Sequence, residues 1–130
     1  MGSLDDLKIL DFSTLLPGPY ATLMLADMGA EVLKISSASR PDIVLDYPPF
    51  IGNTGVSASQ AWLGRNKKTM FLNLKTGEGK AVVKELVKEY DIVLEQFRPG
   101  VMEKLGLGYE DLKAVNPKLI YCSLTGYGQT

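Results

Sequence analysis

Basic side chains follow several apolar runs of this 130-residue sequence. Lys75 comes directly after residues 69–74, and Arg98 and Lys104 follow residues 91–97. Because parallel strands bring their carboxyl ends to one edge of a sheet, these cations can converge although they are distant in sequence. Such a cluster binds a multiply phosphorylated ligand, but the same pattern is typical of a solvated rim, and both interpretations stay open. The other basic residues near predicted strand ends are Lys34, Arg40, Arg65, Lys67 and Lys68.

Acid–base and metal-binding groups are few. The sequence contains no histidine, which excludes a His-based triad and a His/Cys zinc site within it, and we predict no metal site. Asp11 and Glu95 lie near the ends of predicted strands and are candidate acids or bases. We favour a capping role for both, in which the carboxylate accepts hydrogen bonds from backbone N–H groups of the next turn. Cys122, the single cysteine, is predicted to be a small core residue.

The loop at residues 14–18, TLLPG, is followed by Pro19 and carries no spaced glycines. It therefore lacks the G-x-G-x-x-G pattern that brings a backbone close to the pyrophosphate of a dinucleotide. Its leucines and prolines indicate a stiff apolar lip suited to a flat or chain-like group. In the alternative interpretation, Leu15 and Leu16 only plug the core. Tyr127, between two glycines, either contacts a ligand or covers the core.

Residues 7–35 predict the unit that positions this loop. The apolar run 7–12 predicts a buried strand, Pro19 is placed at the first position of a helix, Gly29 ends that helix, and residues 31–35 form the next strand. The crossover between the two strands is expected to be right-handed. The amino end of this helix then faces the carboxyl end of the first strand, where free backbone N–H groups favour a phosphate.

The remaining pattern alternates strands and helices. We predict a long loop at 36–64, strands at 69–74, 91–97 and 119–124, a helix from 77 to about 90, and short helices at 101–105 and 109–115. This order predicts an α/β fold with a Rossmann-like, doubly wound, mostly parallel sheet. Because no helix follows the fifth strand, we expect the chain to be a truncated part of a larger domain.

Composition narrows the class of protein. With 45% hydrophobic residues, 22% charged residues and a net charge of −1, the chain is expected to be soluble, with no nucleic-acid or membrane partner. The acidic start MGSLDDL is unlike a signal peptide, and a single cysteine agrees with a reducing compartment. We therefore predict a cytoplasmic enzyme or binding domain.

Three long stretches carry a family resemblance: LDFSTLLPGPYATLMLADMGAEVLKI, RNKKTMFLNLKTGEGK and DIVLEQFRPGVMEKLGLGYEDLKAVNPKLIYCSLTGYGQT. In this order they resemble the amino-terminal part of the family III (CaiB/BaiF-type) CoA-transferase superfamily, which includes 2-methylacyl-CoA racemases. The resemblance implies that residues 1–130 are the amino-terminal part of a CoA-binding large domain, without the small domain and the carboxyl-terminal part. It also implies an interlocked homodimer for the longer parent.

The resemblance also implies site residues for coenzyme A. Leu15, Leu16 and Pro17 would line the path of the pantetheine and thioester. Leu72 and Lys75 would hold the adenine and its phosphates. The other implied contacts are Gln96, Phe97 and Arg98 along the groove, Lys104 for charge, Tyr127 near the thioester, and Arg40 in place of the family's usual basic residue near the nucleotide.

The function implied by the resemblance is that of an acyl-CoA enzyme. We predict a 2-methylacyl-CoA racemase that removes and returns the α-proton. The alternatives are a CoA-transferase that acts through an aspartyl-CoA ester and a non-catalytic CoA-binding module. The catalytic residues are expected beyond Thr130, so residues 1–130 alone are predicted to be inactive. Coenzyme A is expected as part of the substrate, with no covalently bound cofactor.

Overall fold

The computed structural model describes residues 2–130, which contain one sheet of five parallel strands. The strands are β1 Lys8–Asp11, β2 Glu31–Ser36, β3 Lys67–Phe71, β4 Ile92–Glu95 and β5 Ile120–Ser123, in the order β3-β2-β1-β4-β5. Every neighbouring pair is parallel. The predicted α/β, Rossmann-like fold is therefore confirmed.

The helices are α1 Pro17–Asp27, α2 Ile43–Asp46, α3 Ala58–Leu63, α4 Gly77–Val87, α5 Val101–Lys104 and α6 Tyr109–Val115. The prediction of Pro19 as the first helical residue is wrong, because α1 already begins at Pro17. The prediction of one long loop at 36–64 is incomplete. That region holds α2 and α3, whose amino ends are capped by the side chains of Asp42 and Ser57. Within residues 2–130, no helix combines the length and apolar character needed to cross a membrane.

Apolar side chains cover both faces of the sheet. On one face, Ile9 and Val32 pack with Ala26 of α1. On the other face, Leu10 and Leu33 belong to a larger core with residues of α4, α5 and α6. Adjacent residues of β1 thus face opposite layers, and both Ile9 and Leu10 are fully buried. This two-sided burial explains why β1 and β4 carry adjacent apolar residues rather than an alternating pattern.

The bounds of β3 differ from the prediction. The apolar pattern predicts 69–74, whereas the strand pairs residues 67–71 with β2, from Val32 opposite Lys67 to Ser36 opposite Phe71. Leu72 lies just beyond the strand, where its N–H donates to the Ser36 carbonyl at 2.9 Å. Lys67 starts this strand because its side chain finds buried polar partners, and the sequence pattern alone gives no sign of them.

The prediction that Cys122 is a core residue is wrong, since its side chain is exposed. In the described residues β5 pairs only with β4, so it is an edge strand. Cys122 shares one face of β5 with Ile120, which is 59% exposed. No element in this part of the chain covers that face, and an apolar residue type at an edge strand does not ensure burial.

Candidate functional site

Asp11, the last residue of β1, accepts hydrogen bonds from the loop that follows β1 and from α1. Its Oδ1 accepts from the backbone N–H of Ser13 at 2.8 Å and from the Ser13 hydroxyl. Its Oδ2 accepts from the Thr22 hydroxyl of α1 at 2.5 Å. All three residues are fully buried. The predicted capping role is confirmed, and Asp11 fixes the path of the chain between β1 and α1.

Lys67 supplies the counter-charge for Asp11. Its ammonium lies 3.7 Å from Asp11 Oδ2 and donates to the Pro19 carbonyl at 2.7 Å and to Thr22 Oγ1 at 2.8 Å. The side chain is only 1% exposed. Burial lowers the pKa of Lys67 to about 8, and Asp11 opposes that shift. Lys67 is therefore a structural cation beneath α1 and does not belong to a solvated rim.

This perturbed amine predicts an unusual pH dependence of stability. Between pH 8 and about 10 the unfolded chain keeps the Lys67 proton, with an ordinary pKa of 10.5, while the folded chain loses it, so the free energy of unfolding should rise. Above about pH 10 it should fall, because burial and the Glu31 carboxylate raise the pKa of Tyr90 to about 12. Urea unfolding followed by circular dichroism at a series of pH values measures both slopes. Lys67→Met should abolish the rise, and a rise that persists in this variant would contradict the assignment.

A second buried ion pair holds the loop itself. Lys34 of β2 lies 3.3 Å from Asp42 Oδ2, with both side chains 6% exposed, and also donates to the Ser13 carbonyl at 3.2 Å. Asp42 Oδ2 accepts from the backbone N–H of Leu15 at 3.0 Å. Leu15 has a φ of +63°, a left-handed conformation that is uncommon for a branched apolar residue. Two elements distant from the loop thus hold its backbone in a strained shape.

The amino end of α1 offers fewer free N–H groups for a phosphate than predicted. Pro17 and Pro19 have no N–H group, and the N–H of Gly18 donates to Gln96 Oε1 at 3.0 Å. The N–H of Tyr20 donates to the Leu16 carbonyl at 2.9 Å. The first-turn donors that would bind an anion are therefore missing or engaged. Leu15 and Leu16 are 41% and 50% exposed, which favours the apolar-lip interpretation over the core-plug interpretation.

The bond between Gly18 and Gln96 joins the two halves of the sheet. From β1 the chain adds β2 and β3 on one side and then β4 and β5 on the other, so the order reverses between β1 and β4. In open α/β sheets, ligands bind beyond the carboxyl ends of the strands at this reversal. Gln96 follows β4, and Gly18 leaves no room for a Cβ, which would overlap the Ser13 Cβ. The loop at 14–18 and the turn after β4 are thus packed together at the expected ligand edge.

Glu95, the last residue of β4, caps the chain that follows it, as Asp11 does after β1. This buried carboxylate accepts from the backbone N–H of Phe97 at 2.8 Å and from the Ser123 hydroxyl of β5. Gln129 donates to Ser123 Oγ at 2.7 Å. The predicted capping role of Glu95 is confirmed. The carboxylate anchors the turn that carries Gln96, Phe97 and Arg98.

The other predicted site residues are spread along the same edge. Lys75 follows β3, while Arg98 follows β4, and those strands lie three spacings apart, about 14 Å at the usual strand separation. The cations suit an elongated ligand better than a compact anion. Leu72 and Phe97 are half-buried against the main core, whereas Pro17, Arg40, Lys75, Arg98, Lys104 and Tyr127 are exposed.

Sequence reasoning missed a cleft on the β5 side. It is lined by residues of α5, α6 and β5, among them Glu103, Tyr109 and Tyr121. The Tyr121 hydroxyl is buried without a hydrogen-bond partner in the described part of the chain, and burial raises the pKa of Tyr121. Apolar spacing alone predicts these aromatic residues only as core, so no sequence signal marks the cleft.

Comparison with known proteins identifies the family. The model of CoA-transferase family III matches residues 4–130. The chain belongs to this family. The crystal structure of a CaiB/BaiF family protein from Brucella suis matches 99% of the chain with a TM-score of 0.91 and 40% identity, and the match covers 35% of that protein. The resemblance drawn from the three sequence stretches is therefore confirmed.

Curated relatives of this family III chain are named as CoA-transferases. Human succinyl-CoA:glutarate CoA-transferase is 42% identical over 128 residues, which cover 98% of this chain and 29% of the relative. Acetyl-CoA:oxalate CoA-transferase of Acetobacter aceti is 40% identical over 129 residues, which cover 99% of this chain and 33% of the relative. The chain thus spans about a third of the length of the curated relatives it matches.

Proposed function

We propose that this chain is the amino-terminal, CoA-binding part of a family III CoA-transferase. The main support for this proposal is the match of residues 4–130 to the family. Relatives that align with nearly the whole chain are named as CoA-transferases. These relatives favour the transferase alternative over the racemase that the sequence stretches alone predict. The substrates are an acyl-CoA and a free carboxylic acid.

The geometry of the candidate site supports an extended coenzyme. An exposed apolar lip of Leu15 and Leu16 suits the pantetheine arm, because it offers apolar contact area, and the Leu15 N–H is already bonded to Asp42. Lys75 and Arg98, on either side of the lip, suit the phosphates by charge. Leu72, Gln96 and Phe97 complete the groove in this proposal, with Arg40, Lys104 and Tyr127 at its margin.

The chemistry proposed for the longer enzyme is acyl transfer between oxygen and sulfur. An aspartate carboxylate beyond Thr130 attacks the thioester carbon, which expels the CoA thiolate and leaves a mixed anhydride. The thiolate then attacks the anhydride at the aspartyl carbonyl, which forms an aspartyl-CoA ester and releases the donor acid. The acceptor acid reverses both steps. In this scheme residues 2–130 bind and orient coenzyme A and exclude water from its thioester.

Replacing Lys75 tests the binding proposal. Isothermal titration calorimetry of the chain with coenzyme A should give saturable binding, and Lys75→Ala should weaken it about tenfold through loss of a charge-assisted contact. Lys118→Ala is the matched control, because Lys118 precedes β5 and lies at the opposite, amino edge of the sheet. Its affinity should not change. Absence of binding by the unaltered chain would contradict the proposal, and equal losses in both variants would contradict the assignment of Lys75.

A labelling assay separates transferase from racemase. The full-length protein that carries this segment is incubated in D2O with a single enantiomer of a 2-methylacyl-CoA, with or without succinate as acceptor. A transferase passes CoA to succinate and leaves the α-carbon unlabelled. Deuterium incorporation and epimerisation without the acceptor would instead establish the racemase chemistry. The interlocked homodimer, the cytoplasmic location and the inactivity of residues 1–130 alone stay predictions.

A further inference from the structure

The Lys34–Asp42 pair lies below the apolar lip and is separated from solvent. Both side chains are 6% exposed, and they are 3.3 Å apart. Lys34 comes from the carboxyl half of β2, and Asp42 comes from the segment that leads into α2. Neither residue has exposed charge to offer a ligand. The pair can therefore affect a ligand only through the protein groups that it contacts.

The contacts of the pair converge on the backbone of the lip. Lys34 donates to the Ser13 carbonyl at 3.2 Å, and Asp42 Oδ2 accepts from Leu15 N–H at 3.0 Å. The other oxygen of Asp42 accepts from Val44 N–H at 3.2 Å, which fixes the carboxylate plane. The chain on both sides of Thr14 is therefore bonded to one rigid, charged unit.

Leu15 needs such support because of its conformation. Its φ of +63° lies in the left-handed region, where a leucine without outside support is disfavoured relative to an extended conformation. Nothing local compensates, since the residue is exposed and its one backbone donor goes to Asp42. In the absence of the carboxylate, rotation about the Leu15 backbone would redirect both leucine side chains of the lip.

We propose that Lys34 and Asp42 are positioning residues for ligand binding. The pair holds Leu15 in its left-handed conformation and so presents the preformed apolar lip to the pantetheine arm of coenzyme A. This inference rests on the proposed function, because it assigns the lip to that ligand. Preorganisation of a binding loop contributes affinity by removing the ordering cost at the moment of binding.

The test combines coenzyme A titration with amide hydrogen exchange on the chain. Asp42→Ala should weaken coenzyme A binding by about tenfold and should accelerate exchange of the Leu15 amide. Exchange of the Gly18 amide, held independently by Gln96, should stay protected. Asp42→Asn keeps an oxygen acceptor and the side-chain shape, so it serves if Asp42→Ala does not fold, and its affinity loss should be about threefold or more.

A matched control separates positioning from general instability. Val83→Ala removes buried volume from α4, which packs on the face of the sheet opposite α1, and should lower the melting temperature without changing coenzyme A affinity or Leu15 exchange. Unchanged affinity in the Asp42 variants, with binding by the unaltered chain, would overturn the inference and leave the proposed function standing. Failure of the unaltered chain to bind coenzyme A would overturn both. An equal loss of affinity in Val83→Ala would also overturn the positioning role.

Discussion

Asp11→Ala should destabilise the chain by about 3–5 kcal/mol, which is the usual cost of removing one partner from a buried ion pair. The Lys67 ammonium would keep its buried position without a counter-charge. The Ser13 N–H and the hydroxyls of Ser13 and Thr22 would lose their common acceptor. Since small domains are stable by only about 5–15 kcal/mol, a large share of the total would be lost. Urea unfolding followed by far-ultraviolet circular dichroism measures the change.

Two further variants identify the source of that loss. Asp11→Ala combined with Lys67→Met should recover part of the stability, because the methionine leaves no buried charge. Asp27→Ala removes a carboxylate from the solvent-exposed pair with Arg65 and should have little effect. A small change for Asp11→Ala, similar to that for Asp27→Ala, would show that the buried cluster does not hold β1 against α1.

Gly18→Ala should nearly abolish binding of coenzyme A and should destabilise the fold by about 1–3 kcal/mol, as for other overpacked sites. An added Cβ would overlap the Ser13 side chain and would lie 2.9 Å from Gln96 Oε1. Either α1 or the loop at 14–18 has to move away, which separates the lip from the turn after β4. Calorimetric titration with coenzyme A and thermal unfolding measure the two effects.

Gly77→Ala is the matched control for this substitution. Gly77 is the first residue of α4, and a Cβ built there meets nothing within 4 Å. Alanine at an open helical position is neutral or slightly stabilising. Coenzyme A affinity should therefore stay unchanged in Gly77→Ala. Full binding by Gly18→Ala would mean that the close approach of Ser13 and Gly18 is not needed for the ligand edge.

An element of the fold is predictable from the sequence where its own apolar residues form its buried surface. The runs at 7–12 and 31–35 predict β1 and β2 because both faces of these strands are covered, and the pattern at 109–115 predicts α6 with its observed bounds. The start of β3 is not predictable in this way. Lys67 contributes a buried ammonium whose partners are Asp11, Pro19 and Thr22, more than 40 residues earlier in the chain.

The candidate site is likewise only partly predictable from the sequence. Leucines and prolines at 14–18 indicate an apolar lip, and exposed basic residues after strands indicate a charged edge. The hydrogen bonds that shape the lip come from Lys34, Asp42 and Gln96, which are distant in sequence from it. From the sequence alone, Lys34 is indistinguishable from a surface lysine, although its side chain is buried. Only three-dimensional proximity shows that these polar residues act on the loop.

The reversal of strand order between β1 and β4 also has a consequence for folding. The strands β1, β2 and β3 all lie within residues 8–71, whereas the pairing of β1 with β4 brings Ile9 opposite Ile92. Closing that contact costs more loop entropy than pairing the first three strands, because the intervening segment is longer, and contacts so distant along the chain slow folding. During synthesis, β1 must keep one hydrogen-bonding edge open until β4 has emerged.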